Sequence, residues 1–206
     1  MKRVHLNTLC IFVWVICSLF FFCRFSIAEE LIATDQALRQ VFPKALAFDK
    51  KIVALSEEQI RRIEETAGVI FSEGHSVKVI AYSVKEGAQV GGYALEDTVK
   101  GKWGGIHYLV ALTLEGNVVE VVILDYKEIR GKPIAKRRFL RQYLGKTAQD
   151  PLQVRKDIDG VTGATISSRS LTEGVRKLLD AFQLIKSDLD KVGEENAALT
   201  NIFDKG

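Results

Sequence analysis

Thiols are missing from most of this chain. Its three cysteines, Cys10, Cys17 and Cys23, all fall within the first 28 residues. If that leader is removed, no thiol is left, which excludes a disulfide, a thiolate metal site and a cysteine-ligated iron–sulfur cluster. Histidine is nearly as scarce. Outside the leader only His75 and His107 remain, too few for a multi-histidine metal site. The chain also lacks a real charge excess. Its formal charge of +3 comes from 29 basic and 26 acidic residues, and Lys2, Arg3 and Arg24 account for all of it. The neutral remainder argues against a nucleic-acid partner, which would need a basic face. No G-x-G-x-x-G nicotinamide fingerprint occurs, since Gly160-x-x-Gly163 does not complete one. Internal repeats and low-complexity tracts are absent as well.

What is present describes a globular protein. Hydrophobic residues make up 47% of the 206 residues and charged residues 27%, enough for one domain of ordinary size plus appendages. Lys2 and Arg3 precede an apolar run from Leu9 to Phe22, and Ser26-Ile27-Ala28 precede Glu29. That order describes an export signal over residues 1–28. As a helix the apolar run would span roughly 21 Å, short of the ~30 Å hydrocarbon core. Cleavage is therefore the expectation, with a retained anchor as the alternative.

Residues 29–75 read as a helical and extended region. Thr34 is placed to cap a helix over 35–41, and a short strand is expected within 45–55. Ser56 and Gln59 form a capping box that opens a helix running to about Phe71, with Ile60, Ile63, Ala67 and Ile70 on one face. From Ser76 the period changes to that of strands, expected over 77–84, 91–99, 106–114 and 118–126. Glu115-Gly116-Asn117 is the turn of the last hairpin. Pro133 is suited to the first position of a further helix, and Gly145 to its C-terminal cap. Its Lys136, Arg137, Arg138 and Arg141 form either a solvated face or a dock for an acidic partner. Leu171, Val175, Leu178, Phe182 and Ile185 then repeat at spacings of four and three, a helical stripe fit to cover a sheet. Residues 187–206 read as a tail that adds a short helix or frays. The fold class expected is α+β: a twisted, largely antiparallel sheet covered by helices, with the principal domain over 76–186.

One stretch carries chemistry. Asp159-Gly160-Val161-Thr162-Gly163-Ala164-Thr165-Ile166-Ser167-Ser168 combines small residues, hydroxyls and one carboxylate immediately before the apolar stripe. Ser167 and Ser168 are both fit to cap that helix. A loop feeding a helix start offers unpaired N–H donors and suits a phosphate. The plain alternative is an ordinary turn.

The order D-x-x-T-G-A-T over 159–165 resembles the flavinylation motif of the FMN-binding domain family, which includes the FMN-carrying subunits of Nqr and Rnf electron-transport complexes. The resemblance is best over about residues 90–185. Trp103-Gly104-Gly105 is similar to the family's glycine-rich strand entry, and Lys127-Glu128 to its Lys-Glu pair. The Thr-Pro-Gly that usually follows that pair is replaced here by Ile129-Arg130-Gly131. The resemblance implies FMN held covalently, as a phosphoester on Thr165 installed by a separate flavin transferase. It also implies work in electron transfer with a membrane or periplasmic redox partner. Gly163 and Ala164 would admit the phosphate. Thr162 would bind the phosphate or ribityl chain, or only fix the turn. Asp159 would help the transferase hold a metal-bound donor, or also only fix the turn. Ser167, Ser168 and Arg169 are caps or solvated residues unless they reach the phosphate. Trp103 is the favoured stacking partner for the flavin ring, ahead of Tyr108 and Tyr126; His107 has no evident partner. Three functions are in play: an exported electron carrier, a flavin-dependent reductase domain, and a non-redox phosphate-binding module.

Overall fold

The computed structural model describes residues 32–68, 77–126 and 132–203, without the side chains of 132–133 and 192–203. The export signal expected at 1–28, His75 and the Lys127-Glu128 pair lie outside the described residues.

Five strands form one antiparallel sheet in sequence order: β1 (Ala47–Ala54), β2 (Lys78–Glu86), β3 (Gln89–Lys100), β4 (Gly105–Leu112) and β5 (Val118–Tyr126). The sheet is open, so β1 and β5 are its edges. With helices on both faces the fold is α+β. Helix α1 (Thr34–Val41) packs Leu38 and Ala37 on one face, against Tyr82, Ala94, Leu109 and Leu124. Helices α2 (Glu57–Ala67) and α4 (Thr165–Phe203) cover the other face, against Val79, Tyr93, Leu95, Tyr108 and Val110. The short helix α3 (Arg137–Leu140) lies beyond β5, between two 3-10 turns, Lys132–Ala135 and Arg141–Tyr143.

The sequence patterns explain these elements. The stripe on α4 is fully buried from Leu171 to Ile185. Each such side chain contributes about 1.5–3 kcal/mol. The capping box opens α2 as expected: Gln59 N–H donates to Ser56 Oγ (3.2 Å), and Ser56 N–H donates to Gln59 Oε1 (2.9 Å). The Thr113–Asn117 turn closes the last hairpin, with Gly116 at φ 90°.

Four expectations fail. Helix α2 stops at Ala67, because Gly68 takes the left-handed conformation at φ 63° and caps it. The single helix expected from Pro133 is broken, because Lys136 is extended (ψ 136°). The break lets Ile134, Phe139 and Tyr143 all turn inward and be buried. Helix α1 includes Thr34 and has no side-chain cap bond. The C-terminal tail is no separate element: α4 runs without interruption through 187 to Phe203. Among the described residues no helix is long and apolar enough to cross a membrane.

Candidate functional site

The loop from Leu152 to Ala164 delivers the chain to the start of α4. Asp157 holds the entry. Its carboxylate accepts the Leu152 and Gln153 N–H groups (3.1 and 2.8 Å) and pairs with Lys146 Nζ at 2.9 Å. Leu152 and Arg155 both have positive φ (44° and 74°), a conformation non-glycine residues adopt only when held there. Burial acts to raise the Asp157 carboxyl, but the Gln153 N–H, Lys146 and the Leu152 N–H outweigh it and hold it below the usual aspartate range. Asp150 is lowered too, by the Thr147 backbone and side-chain donors and by Lys146.

Next along the loop, Gln142 grips the backbone at Asp159. Its Oε1 accepts the Asp159 N–H (2.7 Å) and its Nε2 donates to the Asp159 carbonyl (3.2 Å). The Asp159 side chain is exposed. Gly160 packs where a Cβ would stand 2.9 Å from Val154 Cγ1. Gly163, by contrast, has open space but φ 81°, so it is backbone conformation that requires glycine there.

Ser168 ties loop to helix. Its Oγ accepts the Val161 N–H (3.1 Å) and donates to the Ala164 carbonyl (2.9 Å). Ser167 and Ser168 are buried inside the first turns of α4, so neither is the N-cap. Helix α4 begins instead at Thr165, because the Val161–Ala164 turn already delivers the Ala164 carbonyl to Ser168 N–H (2.9 Å). Thr165 is therefore the first helical residue, and its side chain is exposed. Among the described residues, no backbone acceptor meets the N–H groups of Thr165 and Ile166. Thr165 therefore carries its hydroxyl at the helix end that offers N–H donors and the positive end of the macrodipole.

A cleft of about 400 Å³ opens beside the loop, between Asp159–Thr162 on one side and Lys136, Arg138, Phe139 and Gln142 on the other. The lining sets the cations of Lys136 and Arg138 against the one carboxylate of Asp159, so the cleft carries net positive charge. Thr162 is exposed and lines the cleft, whereas the buried Ala164 and the exposed Thr165 follow it in the chain and are not among the lining residues.

The remaining candidates lie apart. Trp103 is 63% exposed on the β3–β4 turn, with Lys102 Nζ 5.1 Å from its ring. It does not line the cleft, although the turn lies at the same end of the sheet as the start of α4. Tyr108 and Tyr126 are buried in the core, and burial pushes the Tyr108 phenol well up. His107 does have a partner: its Nε2 lies 2.8 Å from Glu96 Oε1, and Tyr82 donates to Glu96 Oε2 at 2.7 Å. Sequence reasoning also missed Gln142 and Asp157, whose backbone-gripping roles leave no periodic or motif signal. No cluster of three metal-ligating side chains occurs among the described residues.

Residues 101–180 match the family model described as FMN-binding domain. The chain is 34% identical over 107 residues to a component of the proton-translocating ferredoxin:NAD(+) oxidoreductase complex of Clostridium ljungdahlii, covering 48% of this chain and 57% of that one. It is 27% identical over 173 residues to a component of the Na(+)-translocating ferredoxin:NAD(+) oxidoreductase complex of Acetobacterium woodii, covering 77% and 78%. The chain thus spans little more than half the length of the first of these relatives.

Proposed function

Residues 101–180 belong to the FMN-binding domain family, and from that premise we propose that Thr165 carries FMN through a phosphoester and that the chain passes electrons between redox partners. The observation that carries this reading is the position of Thr165: an exposed hydroxyl on the first residue of α4, ending the D-x-x-T-G-A-T order. A bulky nucleotide has a route to that oxygen from solvent.

The residues present fit the group. Esterification leaves the phosphate with one negative charge, next to the N–H groups of Thr165 and Ile166. Gly163 has no side chain and the Ala164 methyl is buried, so neither would obstruct a phosphate approaching Thr165. Thr162 stands ready to donate a hydroxyl to the phosphate or ribityl chain. The cleft walled by Lys136, Arg138, Phe139 and Gln142 is of a size to take a ring system. Its cations favour whichever form of the ring is more negative. Bound flavin supplies one- and two-electron redox chemistry; the chain supplies attachment, orientation and charge. In attachment, Thr165 Oγ1 forms a bond to the flavin phosphorus. The donor's leaving group departs with its electron pair, and the hydroxyl proton passes to a base on the flavin transferase. We take the site to be extracytoplasmic, following the export signal expected at 1–28. There a covalent link prevents loss of the cofactor by dilution.

The test is expression with and without a flavin transferase, followed by fluorescence in a denaturing gel. A fluorescent band with the transferase, absent in Thr165→Ala, supports the covalent reading. Flavin that washes out on denaturation leaves FMN binding standing and removes the ester. No flavin in either form points to a non-redox phosphate-binding module.

A further inference from the structure

Helix α3 has a second side. Arg137, Leu140 and Arg141, with Leu144 beyond them, wall a separate groove of about 520 Å³. Its floor is β5 from Val119 to Ile123, and its far wall is Gln40 and Val41 at the end of α1. Among the described residues strand β5 ends the sheet, and its outer backbone edge has no strand partner there. That edge is occupied at its two ends. Val118 exchanges bonds with Gly145 and Lys146 (2.8 and 2.9 Å), and the Leu124 carbonyl accepts the Ile32 N–H (3.3 Å). Between them, among the described residues, no backbone bond from outside the sheet reaches 119–123. Val119 and Leu144 are 37% and 43% exposed beside this gap. An open strand edge flanked by apolar side chains is a template for another strand.

Charge decides what kind of strand. Arg137 and Arg141 stand one turn apart on the wall, and neither has an ion-pair partner among the described residues. Among the described residues the lining has one acid, Glu120. Two unneutralised guanidiniums select carboxylates, which they bind through paired N–H donors.

We propose that this groove binds an extended, acidic segment of a protein partner, which pairs with β5 as an added strand. Its backbone bonds the free edge at 119–123. Its apolar side chains cover Val119, Leu140 and Leu144, and its carboxylates meet Arg137 and Arg141. The opposite side of α3 walls the cationic cleft, so the bound segment lies about 10 Å, one helix diameter, from that cleft. Naming the partner as the redox partner rests on the flavin reading; the docking itself does not.

The probe is a capped octapeptide alternating valine and glutamate, with a valine–lysine peptide as control, added to the full flavinylated chain. Amide hydrogen exchange reads the site. The glutamate peptide protects residues 119–123 and the lysine peptide does not. Arg137→Glu with Arg141→Glu weakens binding about tenfold or more, leaving in-gel flavin fluorescence and the melting temperature unchanged. Thr165→Ala binds the peptide as well as the parent, so failure of the flavin reading leaves the docking result intact. Equal binding of both peptides, protection elsewhere, or no binding of the glutamate peptide overturns the proposal. Concentration-dependent dimers that protect 119–123 without peptide assign the groove to a second copy and overturn it too.

Discussion

Gly174 of α4 sits directly against Tyr108 of β4. A Cβ at position 174 would stand 2.6 Å from Val99 Cγ1 and closer still to the Tyr108 hydroxyl. The helix therefore rides low on the sheet at this level. Further along, Lys177 pairs with Asp97 at 2.5 Å, and Phe182 meets the Tyr93 ring with centroids 5.1 Å apart. These contacts fix the direction of α4 across β3. Its first residue, Thr165, then emerges about 14 Å beyond Gly174, at the end of the sheet where β3 turns into β4.

Gly174→Ala tests this seating. Alanine gains about 1 kcal/mol in helix propensity but overpacks against Tyr108 and Val99, at a cost of about 1–3 kcal/mol. The expected outcome is a net loss: a lower urea midpoint with an unchanged slope. A stabilised variant would mean that helix and sheet separate more easily than the contact implies.

Ser168→Ala removes the tie between motif loop and helix. The partly buried Val161 N–H loses its acceptor, at a cost of about 1–3 kcal/mol. Because the loop positions Thr165, flavin incorporation by a transferase should slow as well. Urea unfolding and timed in-gel fluorescence check the two effects separately.

Acid should loosen the same loop from its other end. Asp150 and Asp157 have folded-state pKa values below their unfolded ones. Their stabilising contribution is fully present above the ordinary aspartate pKa, near 4. It is lost as pH falls through the lower folded values. Asp157→Asn should flatten the acid side of a stability–pH curve, below the ordinary aspartate pKa of about 4. An unchanged curve would show that Lys146 and the two backbone donors do not act through this carboxylate.

Lys136→Glu and Arg138→Glu bear on the cleft. If the flavin ring lies there, replacing cation by anion disfavours added negative charge, and the midpoint potential of the loaded protein falls. A redox titration reads the shift. A potential that does not move places the ring elsewhere, with Trp103 the next surface to examine.

Much of this site was legible because it is local in sequence. The stripe from Leu171 to Ile185 has helical spacing, and the glycines and threonines of 159–165 sit directly before it. A capping box and a glycine turn are similarly short-range signals, and both formed as written. Gln142 and Asp157 were illegible because they act on backbone brought near only by folding. The Glu96–His107 pair was missed for a related reason. Neighbouring strands must be in register before residues 96 and 107 share a face. Both faces of β4 are buried, so the alternation that marked Ile106, Tyr108 and Val110 hid the equal burial of Leu109 and Ala111. The helix near Pro133 broke because burying Ile134, Phe139 and Tyr143 together outweighed a continuous helical ladder.

The most direct measurement is intact mass, followed by fragmentation, of the chain produced with a flavin transferase. The account predicts a gain of one FMN less one water, located on Thr165 and absent from Thr165→Ala, whose fold is unchanged because the side chain is exposed. An unmodified mass in the presence of an active transferase, or a flavin located on any other residue, would contradict it.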